Sequence, residues 1–66
     1  MTKGTVKWYN EDKGFGFIET ENGHDIFVHR SGIENKYAAL MPEEKVVFEI
    51  KQGDRGPVAI KVKSEN

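Results

Sequence analysis

Phe15, Phe17, Phe27 and His29 stand at every second position of two short runs, Lys13-Gly14-Phe15-Gly16-Phe17-Ile18 and Asp25-Ile26-Phe27-Val28-His29. Successive side chains of a strand point to opposite faces, so each run carries a ring-bearing face and a small or aliphatic face. Gly14, Gly16 and Ile18 lie behind the first pair of rings, and Ile26 and Val28 behind the second. Flat rings offer a chemistry that needs no titrating group, namely stacking on other π-faces.

Register decides whether the two ring faces join. A two-residue Asn22-Gly23 turn sets Phe17 opposite Val28 and mixes rings with aliphatics on both sides. A three-residue loop, Glu21-Asn22-Gly23, with Gly23 in the left-handed position after a type I turn, sets Phe17 opposite Phe27 and Phe15 opposite His29. Under the second register both faces segregate. Phe-rich strands ordinarily mean core, since Phe ranks among the most buried residues. The glycines argue otherwise: if the rings faced inward, Gly14 and Gly16 would lie on an outer surface, where glycine weakens a strand for no packing return.

The aromatic face is therefore expected toward solvent. Three Phe side chains carry about 150 to 250 Å² each, so even partial exposure forms a patch large enough to mark an interaction site. Phe15 and Phe17 stand two strand residues apart, roughly 7 Å. Bases stacked in a duplex rise about 3.4 Å along each strand, so bases meeting both rings must be drawn apart. An extended single strand suits such a platform.

The elements that position these residues read as five strands, roughly Lys3 to Asn10, Gly14 to Thr20, Asp25 to His29, Lys45 to Gln52 and Val58 to Lys63. Turn residues separate them at Asn10-Glu11-Asp12-Lys13, Glu21-Asn22-Gly23 and Gln52-Gly53-Asp54-Arg55-Gly56-Pro57. Ile33, Tyr37 and Leu40 follow helical spacing, but Asn35 and Pro42 argue for a long connection with at most a helical turn. In the last two strands, alternation puts Val46, Phe48 and Ile50 on one face and Val58, Ile60 and Val62 on one face, with Glu49, Lys51, Lys61 and Lys63 opposite. A five-stranded antiparallel sheet with one apolar face buries its core and loses its free edges by curling into a small barrel. The expected class is all-β, a single small five-stranded antiparallel barrel spanning residues 1–66.

Composition narrows the function. Sixty-six residues hold one small domain, and without cysteine there is neither a disulfide nor a thiolate metal site. Ten basic against eleven acidic residues give a formal charge of −1, so charge can favour a nucleic acid only locally. Six of the seven aromatics fall in the first 37 residues, which concentrates the binding surface there. The start of the chain has no apolar segment of the signal type, and a cytoplasmic, non-membrane protein is expected. His24 and His29 without a convergent carboxylate pattern make a poor metal set, and no acid–base pair, nucleophile constellation or phosphate loop is evident. A non-enzyme without cofactor is expected.

Lys13-Gly14-Phe15-Gly16-Phe17-Ile18 resembles the first ribonucleoprotein motif of the cold-shock domain family, and Ile26-Phe27-Val28-His29 its second. Gly4, Val6-Lys7-Trp8 and Asp54-Arg55-Gly56-Pro57 extend the resemblance over nearly the whole chain. RNA-recognition domains share a similar first motif but need two full helices, for which the chain has no room. The resemblance implies a monomeric OB-type barrel that binds single-stranded RNA and DNA, preferentially pyrimidine-rich, and acts as an RNA chaperone in cold adaptation. It implies base stacking by Trp8, Phe15, Phe17, Phe27 and His29, backbone contacts by Lys7 and Lys13, polar contacts by Asp25 and Arg55, and a further ring at Tyr37.

Simple alternation puts Trp8 inward with Val6, so the surface role that the resemblance implies requires a bulge or bend there. Arg30 stands where the family commonly has an aromatic residue, and a guanidinium plane retains a stacking role. Met41-Pro42-Glu43-Glu44 replaces a glycine-containing turn. Two rival readings are a barrel that docks a peptide on the aromatic face, and a structural domain whose phenylalanines form the core.

Overall fold

The computed structural model describes residues 1–34 and 40–65. Five strands follow in order, β1 (Thr2–Asn10), β2 (Phe15–Thr20), β3 (Asp25–His29), β4 (Lys45–Gly53) and β5 (Gly56–Ser64), with a 3-10 turn at Arg30–Gly32. They close into a barrel in the order β1-β2-β3-β5-β4. Each strand was expected, within a residue or two at its ends. All ladders are antiparallel except the parallel one that closes the barrel, Phe27 with Val58 and Val28 with Ala59. Parity requires this: an odd number of strands cannot alternate in direction all the way round a closed ring.

The β2–β3 hairpin adopts the segregating register, with Phe15 opposite His29, Phe17 opposite Phe27 and Ile18 opposite Ile26. Its loop is the three-residue one. The Gly23 N–H donates to the Thr20 carbonyl at 2.9 Å, the Thr20 N–H donates to His24 at 2.8 Å, and Gly23 sits at φ +85°. That angle is open to glycine at little steric cost.

On β1, Val6 pairs with Ile18 and Trp8 pairs with Phe17, which leaves Lys7 as the extra residue of a bulge. The chain beside it explains the break. The Val6 N–H donates to the Glu44 carbonyl at 2.9 Å, and the Glu43 N–H donates to the Val6 carbonyl at 2.7 Å. Residues before the bulge thus belong to β4 and its preceding turn as well as to β2, whereas Trp8 to Asn10 pair with β2 alone. Gly16 lies at the close approach this creates. A Cβ there would sit inside van der Waals contact of the Trp8 carbonyl oxygen and 2.7 Å from Tyr9 Cα.

The core consists of Val6, Ile18, Ile26, Val28, Ile33, Leu40, Val46, Phe48, Ala59 and Val62, with Tyr9 packed against it. Phe48 is its largest side chain and is fully enclosed. The space it fills is the space a side chain at Gly4 would take, since a Cβ there would lie 2.9 Å from the Phe48 ring and 2.7 Å from Ile18.

Simple alternation fails on β5. Lys63 pairs with Val47 but Ile60 pairs with Glu49, so β5 carries one extra residue, and Lys61 takes φ +53°. This second bulge puts Ala59 and Val62 inside, three residues apart, while Val58 and Ile60 are only half-buried. The expected common inward face of Val58, Ile60 and Val62 is therefore corrected. Ile50, expected inward with Val46 and Phe48, is 43% exposed. It lies past the end of β1, whose pairing with β4 stops at Phe48.

Candidate nucleic-acid interface

The bulge at Lys7 and the three-residue loop together bring four rings onto the outer face of β1, β2 and β3. Ring centroids of Trp8 and Phe15 are 5.8 Å apart, Trp8 and Phe17 5.5 Å, Phe15 and Phe27 5.9 Å, and Phe17 and Phe27 5.8 Å. The Phe15 and Phe27 rings are 26° from coplanar, and the other pairs meet edge-on or tilted. Such edge and offset contacts each contribute about 0.5 to 1.5 kcal/mol, which holds the rings in place without covering their outer faces. Trp8 is 43% exposed, and Phe15, Phe17 and Phe27 are half-buried.

Beyond Phe17 and Phe27 the platform runs into a groove of about 560 Å³, lined further by Asp25, Asp54, Arg55, Gly56, Pro57 and Val58. Asp25 and Arg55, far apart in sequence, meet at this groove. Asp54 and Pro57 belong to the segment that carried the resemblance but were given no contact role, and Val58 was not expected at the site. Alternation assigned Val58 to the core, and only the shift at Lys61, which alternation does not reveal, turns it toward the rings.

Lys7 and Asp25 pair with each other, Nζ to Oδ2 at 3.3 Å, with both side chains nearly half exposed. An ion pair this accessible contributes about 0 to 1 kcal/mol, so a ligand can separate it at small cost. Lys13 lies in the β1–β2 loop, where its N–H donates to Asn10 Oδ1 at 3.0 Å and Gly14 follows at φ +76°. The Arg30 guanidinium lies against Gly14 and donates to the Glu11 carbonyl at 2.9 Å, while its N–H donates to the Gly14 carbonyl at 2.8 Å. Arg30 thus braces the β1–β2 loop from the 3-10 turn.

His29 is exposed at the end of β3, opposite Phe15. Tyr37, the further ring expected here, lies outside the described residues. Among the described residues no group of three or more His, Asp or Glu side chains is placed to hold a metal ion, and no helix is long and apolar enough to cross a membrane.

A closed five-stranded barrel whose outer β1–β2–β3 face carries clustered rings has the architecture of the OB-type domain class. Residues 2–65 match the family described as the 'Cold-shock' DNA-binding domain. The chain belongs to that family, and nucleic-acid binding in the cold-shock class is its function. Over 63 residues, covering 94% of each chain, it is 51% identical to the major cold shock protein of Streptococcus pyogenes serotype M1. It is 56% identical over 63 residues to the cold shock-like protein CspLB of Listeria monocytogenes, and 52% identical to the cold shock protein CspA of Staphylococcus saprophyticus, in each case over 94% of this chain and 96% of the relative.

Proposed function

We propose that the chain, acting as one domain over residues 1–66, binds single-stranded RNA and DNA, with a preference for pyrimidine-rich stretches. Unpaired bases lie on Trp8, Phe15, Phe17 and Phe27, with His29, Arg30 and Tyr37 extending the path. Lys7 and Lys13 meet the backbone, and Asp25 and Arg55 contribute polar contacts at the groove. The observation that carries this reading is that four clustered rings remain on the outer face while a different phenylalanine, Phe48, fills the core.

Stacking contributes about 1 to 3 kcal/mol per base, so three or four stacked bases supply most of a micromolar to nanomolar affinity. Holding bases apart on the platform disfavours their pairing with another strand, and no nucleotide hydrolysis is needed. In this reading the protein is a cytoplasmic, monomeric, ATP-independent nucleic-acid chaperone, not an enzyme, working in cold adaptation and in regulation of transcription or translation.

Titration followed by Trp8 fluorescence tests it. A short pyrimidine oligomer is expected to quench strongly, and its duplex not at all. Equal binding of both would reject the proposal, and quenching by a proline-rich peptide alone would favour the peptide-docking barrel.

A further inference from the structure

His29 ends β3 and caps the 3-10 turn, and its ring is held by Ser31. The Ser31 N–H donates to His29 Nδ1 at 3.2 Å, and Ser31 Oγ lies 3.0 Å from the same nitrogen. A backbone N–H can only donate, so Nδ1 is an acceptor and the neutral ring carries its proton on Nε2. With Nδ1 accepting, the Ser31 hydroxyl serves as a second donor to it. The ring is exposed and stands opposite Phe15, at the rim of the aromatic face.

We infer that Ser31 is a positioning residue that fixes His29 as an Nε2–H donor at this rim, so that the His29 subsite favours bases with a carbonyl over bases with an amino group on the edge it meets. The inference rests on the single-strand reading above and adds a base class at one subsite. Uracil, thymine and guanine present a carbonyl where cytosine and adenine present an amino group. An N–H donor meets the first favourably, whereas against the second it faces another donor and goes unpaired. A net hydrogen bond of about 1 kcal/mol corresponds to roughly a fivefold difference in affinity.

The test walks a single deoxycytidine through a deoxyuridine oligomer, a swap that changes only the group at C4 and the protonation of N3. One position is expected to lose roughly fivefold in affinity, and the loss at that position should vanish in His29→Phe, which keeps a stacking ring without the donor. In parallel, nitrogen-15 spectra of the imidazole should report the Nε2–H tautomer in the wild type, a smaller excess of it in Ser31→Ala, which loses the hydroxyl donor but keeps the backbone N–H to Nδ1, and restoration of the full excess in Ser31→Thr.

A wild-type ring protonated on Nδ1 alone, or a positional penalty that is absent or survives in His29→Phe, overturns the inference. If no oligomer binds at all, the platform reading fails and base selection with it; the imidazole spectrum still decides whether Ser31 sets the tautomer.

Discussion

Val6 and Trp8 are two residues apart on β1, yet Val6 is buried opposite Ile18 while Trp8 is 43% exposed opposite Phe17. The bulge at Lys7 is what separates them, and it moves a fourth ring from the inward face that alternation assigns to the outer face. Its cause is tertiary: the Val6 backbone is bonded to the turn before β4, and β1 must then bend to stay with β2.

Phe17 and Phe48 should respond oppositely to truncation. Phe48→Ala removes the largest enclosed side chain and is expected to cost about 3 to 5 kcal/mol, enough to leave so small a domain largely unfolded. Phe17→Ala should leave a folded protein whose affinity for a pyrimidine oligomer falls by about 1 to 3 kcal/mol. Urea unfolding and Trp8 titration of both variants check the contrast. Unfolding of Phe17→Ala would place that ring in the core instead.

Salt should weaken binding only gently. Among the described residues Lys7, Lys13, Arg30 and Arg55 are the cations assigned to the platform, and Lys7 and Arg30 already have protein partners. For a single strand each neutralised phosphate contributes about 0.7 to the slope of log K on log salt, so a slope no steeper than about −3 is expected. Lys13→Ala should make it shallower by roughly 0.7. A steep slope would mean that charge, not stacking, carries the affinity.

Among the described residues, two non-glycine positions occupy backbone conformations that suit glycine better. Glu43, at φ +68°, follows Pro42 in a turn closed by the Glu44 N–H donating to the Met41 carbonyl at 3.1 Å, and Lys61 sits at φ +53° in the β5 bulge. Glu43→Gly is expected to stabilise the protein by about 0.5 to 1 kcal/mol and raise the melting temperature by several degrees. Lys61→Gly should gain less, because it also removes the exposed pair with Glu49 at 3.6 Å. A calorimetric scan of both variants is the measurement, and lowered melting temperatures would contradict the account.

Gly16→Ala should be costly at a position where alanine would otherwise be a mild change. The added methyl would press on the Trp8 carbonyl and on Tyr9 Cα, both main-chain atoms that cannot rotate away. A loss of about 1 to 3 kcal/mol is expected, with weaker oligomer binding because the strand carrying Trp8 must move. Unchanged stability in chemical denaturation would mean that β1 is not held this tightly against β2.

Strand existence, the ring register of the β2–β3 hairpin and the all-β barrel are legible in the chain, because period-two alternation and a Gly-containing loop are local properties. The outward face of Phe15, Phe17 and Phe27 follows from the glycines behind them, and a bend at Trp8 was demanded by the family pattern though not by alternation. Tertiary structure alone decided the bulge at Lys61, the turn of Val58 toward the rings, the exposure of Ile50 and the brace from Arg30 to Glu11. The physical reason is the same for the strand features. A side chain's face is set by the pairing of its backbone with strands distant in sequence, and one extra unpaired residue reverses every side chain beyond it.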